Sequence, residues 1–298
     1  MHKFTSLIKN NGFRTVVTKY NWPIEHYLRG HAVIIHLNSL NDIDNIQKNL
    51  DGSIKVDGYV YTNEYASLET LDIKPDWRDL PIILRINRLG KYRNIHEKIE
   101  MLRTMNVILL FTGNENRSTS DAQIAASLGI HSGIVLKGNA PLDDSVLDLI
   151  TYNFYSLMSH ADIEPFSTME RYYDGENIVS PAIAYFDNPC RFVYFDKDYN
   201  IYLSEDDFNS GKNVDKGFDK LHTIGESEAV EEAINEWQQL FIESHPCSYC
   251  PAFRICSGYF KEQSEKGRCQ HVMKELLEAI EFQKKKQYQF NRIKQCQL

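Results

Sequence analysis

Short apolar runs of strand length alternate with polar stretches of helical period between residue 30 and about residue 160. Residues 32–37 read AVIIHL, a continuous apolar run of strand length, and the polar stretch that follows spaces Leu40, Ile43, Ile46 and Leu50 along one side of a helix. Residues 58–61 predict the next strand. PIILRI at 81–86 predicts another, leading into a helix over 95–105 with Ile95, Ile99, Leu102 and Met105 on one side. VILLF at 107–111 precedes a helix over 120–128 capped by Ser118 or Ser120; GIVL at 133–136 precedes a helix over 143–150; and residues 153–158 predict the strand that closes the series. Strands apolar throughout, separated by amphipathic helices, imply parallel strands buried on both faces. About six such units predict an α/β fold, either a partial β/α barrel or an open doubly wound sheet.

The pattern changes after residue 160. HADIEP and the aromatic stretch behind it hold Pro165, Pro181 and Pro189 and little helical period, which places a domain boundary at 165/166, with residues 1–165 forming the β/α half and 166–298 a second domain. Residues 191–195 and 200–203 alternate aromatic and aliphatic side chains around a polar turn, a hairpin signal. Residues 204–217 are acidic and predict a flexible loop. A helix is expected over 226–244, with Ala229, Ala233, Ile234, Trp237, Leu240 and Phe241 as its apolar side, and a last helix over 270–287.

Between those two helices the chemistry concentrates. Of six cysteines none precedes Cys190, and Cys247, Cys250, Cys256 and Cys269 follow one another as CxxC, five residues, C, twelve residues, C. A chain with no secretory h-region at its start predicts a cytoplasmic location and thiols that are not a disulfide framework. The spacing points to a metal site with those four cysteines as ligands, one 4Fe-4S cluster. A structural zinc site is the rival, although zinc folds usually present two knuckles and this chain has one. His245 and His271 flank the set.

Charge narrows the partners. A formal net charge of -8 argues against a general nucleic-acid binder, which needs clustered Lys and Arg to displace counterions. Lys284, Lys285 and Lys286 read as the solvated end of a helix. No apolar run approaches the roughly 20 residues of a membrane span, so no membrane partner is expected. Neither a GxxxxGK[ST] loop nor a GxGxxG after a strand is present. Arg85, Asn87, Thr112, Asn114 and Glu115 lie at strand ends, where a β/α barrel places its ligand sites.

The segment NPCRFVYFDKDYNIYLS, followed by a helix, HPCSYCPAFRICSGYF and a later cysteine, resembles the SPASM region downstream of radical-SAM barrels in peptide-modifying maturases. The resemblance covers residues 189–273, and the CxxCPxxxxxC core with Gly258 is its most specific part. It implies a degenerate partial (β/α)6 barrel of the radical-SAM type, TIM-barrel-like in architecture, followed by a SPASM-like β-hairpin and helix domain. In the family two auxiliary clusters form. Cys247, Cys250, Cys256 and Cys269 match the ligand set of one of them. The other is broken, since Ser204 and Phe260 stand where two of its cysteines are expected, leaving Cys190 as a partly buried free thiol. The radical-SAM CxxxCxxC motif is missing, so the resemblance implies a pseudo-radical-SAM protein that uses no S-adenosylmethionine. The function implied is an accessory or maturase component of ribosomally synthesised peptide (RiPP) modification, in some systems paired with an ATP-grasp ligase, binding a precursor peptide or a partner maturase enzyme. The alternative is an iron-sulfur electron-transfer partner of a redox enzyme, and whether the chain is itself an enzyme stays open. Edge-strand capture of the peptide by the hairpin is the expected binding mode.

Overall fold

The computed structural model describes residues 15–19, 28–50, 52–113, 115–138, 142–176, 178–189 and 191–295. In chain order the elements are β1 (Thr15–Lys19), β2 (Ala32–Leu37), α1 (Asp42–Asn49), β3 (Lys55–Ser67), β4 (Ile82–Arg88), α2 (Tyr92–Thr104), β5 (Val107–Phe111), α3 (Glu115–Ser127), β6 (Ser132–Ile134), α4 (Asp144–Tyr155), β7 (Ile163–Glu164) and α5 (Phe166–Tyr172). There follow β8 (Phe192–Phe195), β9 (Asn200–Tyr202), α6 (Glu205–Ser210), β10 (Asp215–Lys216), α7 (Glu228–Ile242), α8 (Phe253–Cys256) and α9 (Arg268–Gln295). This is an α/β fold with a mostly parallel sheet. The chain divides into two compact units, 1–113 with 185–236 and 114–184 with 237–298, so residue 165 lies within the second.

Among the described residues the first unit carries eight strands in the order β10-β9-β8-β1-β2-β3-β4-β5. Pairing is parallel from β8 through β1 to β5. The apolar runs of β2, β4 and β5 are buried on both faces, as continuous hydrophobic strands require. Helix α1 buries Ile43 and Ile46, and α2 buries Ile95, Ile99 and Leu102, so both amphipathic patterns pack as their spacing predicts. Strand β1 is an addition, a five-residue TVVTK run whose valines are buried between β8 and β2.

The hairpin forms as expected, β8 and β9 pairing antiparallel. Its flank does not. Residues 204–217 are not a loop: Ser204 caps α6 by accepting a hydrogen bond from the Asp207 N–H, Glu205, Asp206 and Asp207 fill the first turn where the helix dipole favours anions, and Gly211 ends the helix at φ 74°. Strand β10 then pairs with β9, Asp215 opposite Ile201 and Lys216 opposite Asn200. The expected free edge of β9 is therefore covered by two charged residues of the same chain, a common way of closing a sheet edge.

In the second unit β6 and β7 pair in parallel. They come so close that a Cβ on Gly133 would lie 2.3 Å from the Glu164 carbonyl oxygen, which only glycine avoids. The strand expected over 153–158 does not form: residues 153–155 end α4 and 156–158 are irregular. Asp143 caps that helix by accepting from the Ser145 and Val146 N–H groups, and the stripe Val146, Leu149, Ile150, Phe154 continues the helical period past residue 150. The strand in that part of the chain is β7. Helix α3 starts earlier than expected, with Ser120 inside it returning its hydroxyl to the Asn116 carbonyl rather than capping. Among the described residues no helix is long and apolar enough to cross a membrane.

Candidate functional site

The four cysteines predicted as ligands come together in the second unit. Cys247 sits in a 3-10 turn formed by Pro246–Tyr249, Cys250 caps that turn, Cys256 ends α8, and Cys269 lies in the first turn of α9. Local hydrogen bonds fix the path: Cys250 N–H donates to the Cys247 carbonyl at 3.1 Å, Phe253 N–H to Cys250 at 3.0 Å, and Tyr259 N–H to Cys256 at 2.9 Å. Ser257 and Gly258 then turn the chain back at φ 51° and 74°. The result is one cavity lined by Cys247, Cys250, Cys256 and Cys269 together with Phe253, Gly258, Phe260, Gln270 and Met273, about 300 Å³ counted to its open side. None of the four is joined in a disulfide; three are buried and Cys250 is partly exposed. No group of three or more His, Cys, Asp or Glu side chains converges on a single-ion position among the described residues.

The surroundings are apolar, and burial dominates the acid-base behaviour of two of the thiols, Cys256 and Cys269. It pushes Cys256 up to about 12, against the pull of the Phe260 and Tyr259 backbone N–H groups on its sulfur, and it also raises Cys269. Loading a metal therefore has to expel protons from these sulfurs. His245 does not face the cavity as a ligand; its Nδ1 accepts from the Cys247 N–H at 3.2 Å and stiffens the turn. His271 is exposed. Phe260 is fully buried and lines the cavity, while Ser204 is the cap of α6. Cys190 and Asn114 lie outside the described residues.

The loop between Cys256 and Cys269 is tied down within the same unit. Gln263, 8% exposed, donates from Nε2 to the Gly138 carbonyl at 2.9 Å and accepts from the Leu142 N–H at 3.2 Å. Tyr259 donates its hydroxyl to the Leu136 carbonyl at 3.0 Å.

Of the strand-end residues, Arg85 is the one the structure singles out. It is buried in the first unit, where Nη1 donates to both carboxylate oxygens of Glu205 at 2.8 and 2.7 Å and Nη2 donates to the Tyr185 carbonyl at 3.1 Å. Asp187 accepts from the Glu205 N–H at 2.9 Å. His36 Nδ1 lies 3.9 Å from Glu205 Oε1, and the His36 and Tyr194 rings stand edge to face at 6.2 Å. Burial lowers His36 to about 4, with Glu205 opposing, and raises Asp187 to about 6; it also holds Tyr194 well above the usual phenol range. Thr112 only returns its hydroxyl to the Ile86 carbonyl at 3.3 Å. His36, Asp187, Tyr194 and Glu205 went unsingled in the sequence. Only His36 and Tyr194 carry a signal, polar atoms inside otherwise apolar strands; Asp187 lies before β8 and Glu205 opens α6.

No protein-family model matches the chain, and no curated protein matches it. Among solved structures, the crystal structure of Streptococcus suis SuiB aligns over 83% of this chain and 73% of that one, at 9% identity and a TM-score of 0.34.

Proposed function

We propose that this protein is a 4Fe-4S-binding component of a ribosomal-peptide modification system, with its β/α half a degenerate radical-SAM-type barrel and its cysteine region a SPASM-like auxiliary domain. In this reading it binds a precursor peptide or a partner maturase and performs no radical-SAM chemistry, since no cysteine precedes Cys190 within these 298 residues. The observation that carries the reading is the gathering of Cys247, Cys250, Cys256 and Cys269 around one apolar cavity. Soft thiolate donors suit an iron-sulfur cluster, and a donor set taken from one turn and two helix ends suits a bulky core wrapped by a loop. The residues thus fit the group. When bound, such a cluster would be held by these four thiolates and would supply a one-electron redox centre.

What the chain's own residues do is positional. His245 fixes the turn that presents Cys247; Phe253, Phe260 and Met273 keep water from the sulfurs; Gln263 and Tyr259 hold the return loop. With all four ligand positions filled by cysteine, no coordination site is left for substrate, which favours a structural cluster over a catalytic one. Anaerobic reconstitution with iron and sulfide tests this: about four irons and four sulfides per chain are expected, and Cys250→Ser should lose them together with soluble yield. Binding of one zinc and no sulfide would overturn the cluster. Retained folding with lost electron transfer in Cys250→Ser would favour the redox reading instead.

A further inference from the structure

Three buried polar atoms in the first unit have no hydrogen-bond partner and surround one ion pair: Arg85 Nε, His36 Nε2 and Tyr194 OH. A buried polar group left unmade costs about 1–3 kcal/mol, so three around one carboxylate call for an explanation. The strand register shows that the grouping is built by the sheet. Val17 pairs with Ile34 on β2 and with Tyr194 on β8, Lys19 pairs with His36, Ile34 with Gly58, and Val60 with Ile83. Stepping two residues along β4 puts Arg85 on the same face as Tyr194, Lys19 and His36. That face therefore offers cations and N–H or O–H donors. The segment covering it offers the anions: Asp187, Glu205 and Asp206, with Lys19 Nζ 4.8 Å over the Phe208 ring of α6.

Arg85 is sealed, its side chain 6% exposed, but Glu205 is 25% exposed, so the pair opens to solvent on the carboxylate side. Arginine only donates, so Arg85 Nε asks for an oxygen acceptor; the Tyr194 phenol can donate to one as well, and the single N–H of neutral His36 can be set on Nδ1, the nitrogen that faces the carboxylate. We propose that this array is a carboxylate-binding site, that Glu205 fills it from within the chain, and that an external carboxylate takes the place of Glu205 and frees α6. Carboxylate is the shared chemistry, and it has two sources, a small free acid or a glutamate of a bound peptide. Only the second source rests on the peptide reading above.

The test uses the full chain, Glu205→Ala, and the charge-balanced double variant R85M/E205A. Glu205→Ala should melt below the parent, and sodium acetate, against sodium chloride at equal ionic strength, should restore the lost melting temperature. The double variant, which has no buried lone cation, should fold and ignore acetate. An acetylated Ala-Glu-Ala amide should bind Glu205→Ala roughly tenfold or more tighter than the parent, because the tethered competitor is gone, and its glutamine twin should bind neither. In the parent, the glutamate peptide should speed amide exchange across residues 205–210. Equal effects of acetate and chloride, or an acetate response retained in R85M/E205A, would mean that water alone fills these positions and would overturn the site. Acetate rescue with no peptide binding to either form would overturn the peptide source and leave the free acid. Iron content is unchanged in every arm, so failure here is separable from failure of the cluster reading.

Discussion

A Cβ placed on Gly258 would lie 2.6 Å from Leu240 Cδ1, in the turn that carries the chain from Cys256 to Phe260. Gly258 also holds φ 74°, where an L side chain is strained. The Leu240 methyl is the far end of a flexible side chain and yields in part; the backbone strain does not. Gly258→Ala is therefore expected to destabilise the second unit by about 1–2 kcal/mol and to lower iron retention after reconstitution. Chemical denaturation and iron analysis of the purified variant check both. Unchanged stability with full iron would show that the turn has an alternative path.

Gln263 bridges two backbone groups, the Leu142 N–H and the Gly138 carbonyl. Gln263→Leu keeps the volume but leaves the Leu142 N–H and the Gly138 carbonyl without their partner. The expected loss is about 2–3 kcal/mol, with faster amide exchange between residues 257 and 268. Gln263→Glu keeps an acceptor for Leu142 but, ionised, sets its other oxygen against the Gly138 carbonyl, so it should lose at least as much as Gln263→Leu at neutral pH and less in acid, where the protonated carboxyl can donate; a ranking that ignores pH would show that packing rather than hydrogen bonding holds the loop.

Cys190→Ser separates the one-cluster reading from a two-cluster one. Phe260 fills a position where the SPASM pattern has a ligand and is fully buried against the cysteine cavity, and Ser204 is committed to capping α6. Iron and sulfide per chain in Cys190→Ser should equal those of the parent, whereas Cys256→Ser should lose both. A fall in Cys190→Ser of the size seen in Cys256→Ser would return Cys190 to the ligand set.

The cysteine grouping was legible in the chain because thiol chemistry is concentrated and local: the four residues lie between 247 and 269, and spacing alone brings them to one place. The strands β2, β4 and β5 and the helices α1 and α2 were legible because their burial patterns follow periods of two faces or 3.6 residues. What escaped had non-local causes. Strand β1 is short, with polar ends, and becomes a strand because β8 and β2 flank it. Helix α6 is a run of acids that reads as loop until Ser204 and the Arg85–Glu205 pair fix it. Arg85 was visible as a polar residue in an apolar strand, but its partner is 120 residues away, and no pattern in the sequence pairs them. The end of α4 was misread because apolar residues of a helix and of a short buried strand look alike over six positions.

The same buried array gives a pH signature in which two residues work against each other. His36 is lowered from 6.5 to about 4, chiefly by burial, and Asp187 is raised from 3.8 to about 6 for the same reason. Between about pH 4 and pH 6 the folded chain keeps the Asp187 proton that the unfolded chain has released, so this residue withdraws stability as pH rises through its folded value. Over nearly the same range, from about 4 to 6.5, the unfolded chain holds a proton on His36 that the folded chain lacks, so stability from this residue grows with pH and is lost as pH falls towards 4. Glu205 and Arg85 face both groups, Lys19 faces His36, and Asp206 faces Asp187. Asp187→Asn, which still accepts from the Glu205 N–H, removes the falling contribution: its stability should climb with pH more steeply than the parent's, by on the order of 2 kcal/mol across the window. His36→Gln removes the rising contribution and should make the profile flatter than the parent's, or falling. Urea unfolding at several pH values between about 4 and about 6.5 measures all three slopes against the windows set by these two groups. Parallel profiles for parent and both variants would mean that neither residue is held in the buried state on which the carboxylate site depends.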